Sequence, residues 1–338
     1  MRNLLTLLFC LFSLLTTPAQ TYYLPKTAVR LHLLIERQTY EPGCFAPYAK
    51  RYLQLDGIRQ QQRVSHRVTD IQLTTLGVRD TSKCYTLQLK TKGEAPDIRL
   101  SDDAVLLAIN AEPLPAATPP THAILGGQPV RTAPDPKTLL SAEALAAGST
   151  AKQAELTAQQ ITELRERRQL LITGEADDMP QDERQLQRML SEIDHQCDLL
   201  TMLFTGTTRR DTTAHTVTLC PDSETEREVI FRLSRTLGLV DKDDLAGVPY
   251  YLTLKNLHPA EQPLLENKKG EGICVNIPAT VQLTILQEDL PLATFEVPLA
   301  QFGITALRDG SVFRSKSRTH LQLHPATGAV VRMYTDAE

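Results

Sequence analysis

Tryptophan is absent from this 338-residue sequence, and aromatic residues make up only 5% of it. A sugar-binding site built on flat aromatic platforms is therefore disfavoured. The sequence also lacks the GxSxG elbow and the GxxxxGK[ST] phosphate loop. Because those patterns mark many hydrolases and nucleotide-binding proteins, motifs assign no catalytic residue here and predict no cofactor.

An excess of positive charge is missing as well. The chain has 36 Lys and Arg residues against 40 Asp and Glu residues, which gives a net charge of −4. Proteins that bind nucleic acid usually carry a basic surplus, so the charge balance predicts no nucleic-acid partner. The basic stretch RERRQ at 165–169 lies beside Glu163 and Glu166, which indicates a solvated, salt-bridged helix face.

Potential metal ligands lack the spacing of known metal sites. His195 and Cys197 are two residues apart in a predicted helix, so their side chains diverge. Glu175, Asp177 and Asp178 lack the alternating ladder of a calcium loop, and capping at the start of a helix explains these carboxylates. No metal site is predicted.

Long apolar runs are confined to the N-terminus. Arg2 is followed by the apolar run Leu4–Leu15 and then by TPAQ, which indicates a secretory signal peptide over residues 1–20. A retained signal anchor is one alternative. Another is a lipoprotein acylated at Cys10, although Phe9 is larger than the residue expected there. No later segment has the roughly 20 apolar residues of a membrane helix. We predict export to the periplasm or cell surface, with no transmembrane helix after signal cleavage.

Five cysteines follow the signal, and export would place them in an oxidising compartment where disulfides persist. They are Cys44, Cys84, Cys197, Cys220 and Cys274. Cys44 and Cys84 fall in one predicted β unit and form the first candidate disulfide. Cys220 and Cys274 fall in another unit and form the second. Cys197 lies on an apolar helix stripe and is predicted to be buried. The alternative for Cys44 is a nucleophile at a helix N-terminus, but no histidine has a recognisable protease context.

Residues 21–112 show the two-residue period of half-buried strands, and we predict an N-terminal β-rich domain there. Apolar residues alternate with mostly polar ones from Val29 to Ile35, and the short run Ala104–Ile109 suits a buried strand. Residues 113–136 are rich in proline, which removes backbone hydrogen-bond donors. This second segment is predicted to be a linker.

The segment 137–206 is predicted to be helical. Residues 150–172 contain no Gly or Pro, and Gly174 suits a left-handed C-terminal cap. Apolar residues then recur every three or four positions between 186 and 204. Two such helices joined by a few residues favour an antiparallel hairpin with coiled-coil-like packing.

Strand patterns return from 207 to 338, which predicts a C-terminal β domain. The expected fold class is therefore α+β, with two β-rich, sandwich- or barrel-like domains and a long antiparallel helical hairpin between them. In the alternative arrangement both β regions share one sheet system, and the hairpin is an insertion.

Several stretches together carry a resemblance to a known family. They are YYLPKT, PGCFAPYAKRYL, ITELRERRQLLITGEADDMPQD, LFTGTT, IFRLS, DDLAGVPYYL, LAQFGI and HPATGAV. They resemble an exported bacterial family catalogued only as a domain of unknown function, over nearly the whole mature chain and most specifically at Leu170–Pro180. The resemblance implies export and one family architecture, and it implies no site residue. The chain departs from the family pattern at Cys44 and Cys84, which is expected if the two cysteines were gained together in this lineage as a disulfide pair.

The sequence leaves two functions open. The first is a non-enzymatic binding or assembly protein of the periplasm or cell surface, because a long helical arm suits contact with a protein partner or with a second copy. The alternative is an uncatalogued hydrolase acting on an envelope or dietary polymer. Its acids would lie among scattered carboxylates whose separation a sequence does not show.

Overall fold

The computed structural model describes residues 20–87, 96–118, 135–177, 179, 182–258, 272–314 and 318–336. The predicted signal peptide, with Cys10, lies outside these residues except for Gln20, as do most of the predicted linker and Asp178. The structure is mostly β, with 50% strand and 25% helix. The strands are β1 Gln20–Glu41, β2 Arg63–Leu87, β3 Ile98–Leu100, β4 Leu106–Ile109, β5 Thr207–Leu219, β6 Thr225–Ser234, β7 Gly238–Val240, β8 Val248–Asn256, β9 Gly272–Gln287, β10 Leu290–Asp309, β11 Thr319–Leu323 and β12 Val330–Thr335. The α-helices are α1 Ala49–Leu53, α2 Ala142–Ala146, α3 Thr150–Thr173 and α4 Glu183–Thr205.

The strands form three antiparallel sheets, with strand orders β2-β1-β5, β10-β9-β8-β6-β7 and β12-β11-β4-β3. The long strand β1 is central to the first sheet because its apolar residues alternate. Val29, Leu31 and Leu33 are each fully buried, at 0% exposure. They pack with residues of β6, β8, β9 and β10 in one core that joins the first two sheets.

A second core is formed where the first residues of β1 pack against the third sheet. Tyr22 and Leu24 of β1 pack there with Leu106 of β4 and Leu321 of β11. The Tyr22 hydroxyl accepts the Cys274 N–H at 2.8 Å and donates to the Cys274 carbonyl at 3.2 Å. Burial raises the pKa of this phenol, so the hydroxyl keeps the proton that it donates. β1 therefore contributes to two cores and ties the third sheet to the other two.

The helices form a third core together with the segment after β1. Ala158 and Ile161 of α3 and Leu200 and Phe204 of α4 pack around Phe45. The rings of Phe45 and Phe204 lie 5.4 Å apart. The apolar stripes that the sequence shows on both helices are therefore covered within the chain.

Helix ends follow local capping rules. The Ser149 hydroxyl accepts the Lys152 N–H at the start of α3, and Gly174 ends that helix in a left-handed conformation. α4 begins after the acidic residues Glu175 and Asp177 that the sequence offers as caps. The Asp182 carboxylate accepts the Gln185 N–H at 2.6 Å. Asp182 is thus the cap of α4, in place of the earlier carboxylates expected from the sequence.

The expected fold class is wrong. Three antiparallel sheets dominate the described residues, and no long helical hairpin separates two β domains. Instead, β1 pairs with β5 and β4 pairs with β11, so strands from the two β-rich regions share sheets, as in the alternative arrangement. The reason is that β1 is long enough to serve two cores and its two edges need partners, which chain neighbours alone do not supply. The boundaries at 112, 136 and 206 stay a prediction.

None of the described helices is long and apolar enough to cross a bilayer.

Candidate functional site

A polar cleft forms where four segments of the chain converge at the far end of β1. Tyr40, near that end, pairs with Arg63 at the start of β2 and with Thr208 at the start of β5. Directly paired residues share a sheet face, so the first residues of both outer strands lie beside Tyr40. The loop before β2 and the turn between β6 and β7 close the cleft.

The cleft has a volume of about 350 Å³. Its lining consists of arginines with a histidine and uncharged hydrogen-bonding side chains, namely Gln38, Tyr40, Arg59, Arg63, Ser65, His66, Arg67, Thr208 and Arg235. The four arginines are exposed to solvent, whereas Tyr40, Ser65 and His66 are half-buried. The cleft therefore presents guanidinium charge at its rim and other hydrogen-bonding side chains at its base.

Tyr40 holds two parts of the cleft together. Its hydroxyl lies 2.8 Å from the Arg59 carbonyl and 2.9 Å from the Thr205 carbonyl. A phenol has one proton, so it donates to one of these oxygens at a time. The two contacts fix the loop that carries Arg59 against the end of α4, 165 residues away from Tyr40 in sequence.

His66 docks β2 against the turn that carries Arg235. The His66 backbone N–H donates to the Arg235 carbonyl at 2.8 Å, and Nδ1 lies 3.1 Å from the same oxygen. Because a carbonyl oxygen only accepts, Nδ1 carries a proton in this contact. Gly238, which lies beside the His66 ring, has φ 85°, a left-handed backbone conformation that favours glycine in this turn. Arg235 is thus brought to the cleft by backbone contacts, and its side chain remains exposed.

The positive charges in the cleft are only partly compensated. Arg67 forms an ion pair with Glu36 at 3.0 Å, and Glu36 is largely buried. Arg59, Arg63 and Arg235 have no side-chain ion pair with any residue that the structure describes. Guanidinium groups stay protonated at all physiological pH values and match planar oxyanions with paired N–H donors. The geometry suits an anion with carboxylate, sulfate or phosphate oxygens.

The predicted disulfide residues are separate from this cleft. All five described cysteines are free thiols. Cys84 pairs with Tyr23 near the start of the 22-residue strand β1, whereas Cys44 follows its end. A disulfide needs Cα atoms within about 7 Å, and a strand extends by about 3.3 Å per residue. In this structure most of the length of β1 therefore lies between Cys44 and Cys84, which is well beyond that distance. The Cys44–Cys84 and Cys220–Cys274 bonds stay predictions from the sequence.

The thiol chemistry of Cys44 does not match an activated nucleophile. Cys44 is exposed, but partial desolvation by neighbouring atoms still raises the pKa of its thiol, although nearby Lys137 opposes this. Burial likewise raises the thiol pKa of Cys197, Cys220 and Cys274. A reactive cysteine needs the opposite shift, towards thiolate at neutral pH. Cys197 is buried on α4, which confirms the prediction for that residue.

Thiol titration of the chain from Gln20 onward, without reductant, tests the cysteine states. We expect three thiols to react in the native protein, because Cys44, Cys84 and Cys220 are exposed. After denaturation we expect five, as buried Cys197 and half-buried Cys274 become accessible. A count of one after denaturation would instead support both predicted disulfides.

The cleft was not predicted from the sequence, because the charge balance was taken over the whole chain and the only basic stretch considered was RERRQ at 165–169 in α3. There the structure pairs Arg168 with Asp194 of α4, at 2.6 Å, rather than with acidic neighbours on its own helix. The one local signal for the cleft is the run RQQQR at 59–63, whose significance depends on distant Arg235. No group of metal-ligating side chains suited to a metal ion occurs among the described residues.

Comparisons with known proteins agree with the family resemblance. Searches against curated proteins and against solved structures return no significant match. The model of a family described as a domain of unknown function, DUF4831, matches residues 19–331. Because that match covers nearly the whole chain, the protein belongs to the DUF4831 family.

Proposed function

We propose that this protein is an exported, non-enzymatic binding protein of the periplasm or cell surface, and that the arginine-lined cleft holds an anionic ligand. One observation carries the proposal. Arg59, Arg63 and Arg235 converge on one cleft without an ion-pair partner among the described residues, in a chain whose net charge is −4. Like charges held close together repel each other, so an anion bound between the three arginines lowers the electrostatic free energy of the cleft.

Export rests on the N-terminal sequence pattern, and binding rests on the cleft. Contact with a partner through the helices is not part of the proposal, because the apolar stripes of α3 and α4 are covered by each other and by Phe45. The cleft offers a better binding surface, since its exposed guanidinium groups retain free hydrogen-bond donors.

Isothermal titration with inorganic sulfate, inorganic phosphate and dextran sulfate at low ionic strength tests this proposal. We expect the double variant Arg63→Gln/Arg235→Gln to bind dextran sulfate at least about tenfold more weakly than the unchanged protein, because it loses two charge-assisted contacts. We also expect binding to weaken as salt is added, since exposed charges are screened.

The matched control is Arg188→Gln/Arg332→Gln, which removes the same charge from two exposed arginines outside the cleft. We expect this control to retain most of the affinity. An equal loss in both double variants would mean that net charge alone attracts the probe. Failure of the unchanged protein to bind any of the three probes would contradict the proposed function.

A further inference from the structure

The arginine-lined cleft continues into a second cavity. This neighbour has a volume of about 460 Å³ and is lined by Arg59, Gln60, Gln61, Gln62 and Arg63. Arg59 and Arg63 line both cavities, so the two spaces are adjacent at these two residues. A ligand that fills both spaces passes the arginine pair and extends to either side of it.

Both ends of the glutamine run are held in place. The Arg59 carbonyl is fixed by the Tyr40 hydroxyl at 2.8 Å. Arg63 begins β2 directly opposite Tyr40 of β1. The three glutamines between them are exposed. The loop therefore presents amide groups to solvent from two anchored ends, which limits the ordering cost of binding.

The lining of the two cavities combines charged guanidinium groups with neutral hydrogen-bonding groups. Each glutamine amide offers two donors and an acceptor, and Gln38, Ser65 and Thr208 add further neutral groups in the first cavity. A small inorganic anion would use the guanidinium groups and leave the amides without a partner in the ligand. A chain of acidic sugar units would use both, because its hydroxyls lie between its charged groups.

Other polyanions fit the lining less well. Single-stranded nucleic acid is held by bases stacked on exposed aromatic rings. Among the described residues, Tyr40 is the only tyrosine, phenylalanine or tryptophan lining either cavity, and it is half-buried with its hydroxyl engaged. An acidic peptide supplies carboxylates but few hydroxyls for the amides. Recognition through arginines and amides also needs no tryptophan, which this chain lacks.

We infer that the ligand is an acidic polysaccharide, carrying carboxylate or sulfate groups, bound as a linear chain across both cavities. This inference rests on the proposed function and adds the class of ligand to it. It requires that affinity rise with chain length until both cavities are filled, because each further unit adds contacts within one already bound chain.

Titration with oligogalacturonates of one, two, four and six units, at fixed ionic strength, measures that dependence. Sulfated oligosaccharides of matched length show whether carboxylate or sulfate is preferred. We expect affinity to rise at least about tenfold from one unit to four and then to level off. We expect Gln60→Ala/Gln62→Ala to reduce this gain severalfold, because it removes amide groups that the longer chains contact.

The matched control for the glutamines is Gln159→Ala/Gln187→Ala, which truncates two exposed glutamines on α3 and α4. It should leave the length dependence unchanged. Oligoglutamate and oligodeoxynucleotide of equal charge serve as the peptide and nucleic-acid arms, and both should bind more weakly than the saccharide.

Two outcomes overturn the inference and leave the proposed function standing. One is an affinity that does not change with the length of either saccharide. The other is binding of oligoglutamate or oligodeoxynucleotide at least as tight as that of the matched saccharide. If no saccharide of either kind binds, the inference fails as well, and the proposed function then stands or falls with the binding of inorganic sulfate, inorganic phosphate and dextran sulfate.

Discussion

Replacing Phe204 with alanine should lower the free energy of unfolding by about 3–5 kcal/mol, which is the usual cost of truncating a buried phenylalanine. Phe204 is fully buried, at 0% exposure, and its ring packs against that of Phe45. The substitution removes the contact that seats α4 on the segment after β1 and leaves a cavity in the helical core. Chemical denaturation followed by far-ultraviolet circular dichroism measures the change.

Met202 provides the control on the same helix. Its side chain is 36% exposed, and alanine is a good helix former, so Met202→Ala should change the free energy of unfolding by less than about 0.5 kcal/mol. A loss below about 1 kcal/mol for Phe204→Ala would show that α4 is not seated as described. A loss of similar size in both variants would point to a general weakness of the helix.

Gly206 gives the second large expected effect. This residue joins α4 to β5 with φ 78° and ψ −177°, a backbone region that is essentially restricted to glycine. A Cβ at this position would lie 2.3 Å from the Glu41 carbonyl oxygen. We expect Gly206→Ala to cost about 3 kcal/mol or more, because backbone strain and steric overlap add together. Thermal and chemical denaturation both report the loss.

Gly174 is the matched control for Gly206, because it has the same φ of 78° but no atom within 4 Å of the position of a Cβ. Gly174→Ala should therefore cost only the left-handed backbone penalty of about 1 kcal/mol. If the two variants lose the same stability, the close approach of β1 to the α4–β5 junction is not what makes Gly206 necessary.

Local sequence patterns predicted many elements because their causes lie within a few residues. The alternation from Val29 to Ile35 predicts a strand, and β1 contains it. Residues 150–172, free of Gly and Pro, correspond to α3 at Thr150–Thr173. In contrast, β5 opens the region 207–338 that was expected to be β-rich, but it was not predicted as an individual strand, because its residues are mostly polar and threonine-rich and no apolar alternation marks it.

Strand pairing was not predictable in the same way. The alternation in β1 shows that one face is buried, but it is equally compatible with any partner strand. The sequence suggested that the N-terminal strands pair among themselves, whereas β1 also pairs with β5 and β4 pairs with β11. These pairings depend on which long-range contacts bury the most apolar surface, and a short window of sequence does not contain that information.

The candidate site shows the same limit. Arg59 and Arg63 were visible as neighbours of a glutamine run, but Arg235 joins them only because His66 contacts its carbonyl across 169 positions of the chain. A whole-chain net charge of −4 concealed this local concentration of positive charge. The prediction of a long helical hairpin between two β domains was wrong for a related reason, because a periodic apolar stripe does not specify what covers it.

The sequence by itself determined the family, the periodicity of the main strands and helices, and caps such as Ser149 and Gly174, since each depends on residues close together in the chain. Tertiary structure alone decided the three-sheet arrangement, the burial of α3 and α4 against Phe45, and the meeting of the arginines at one end of β1. The physical reason is that hydrogen bonds across sheets and packing across cores join residues far apart in sequence, and only the folded chain brings them together.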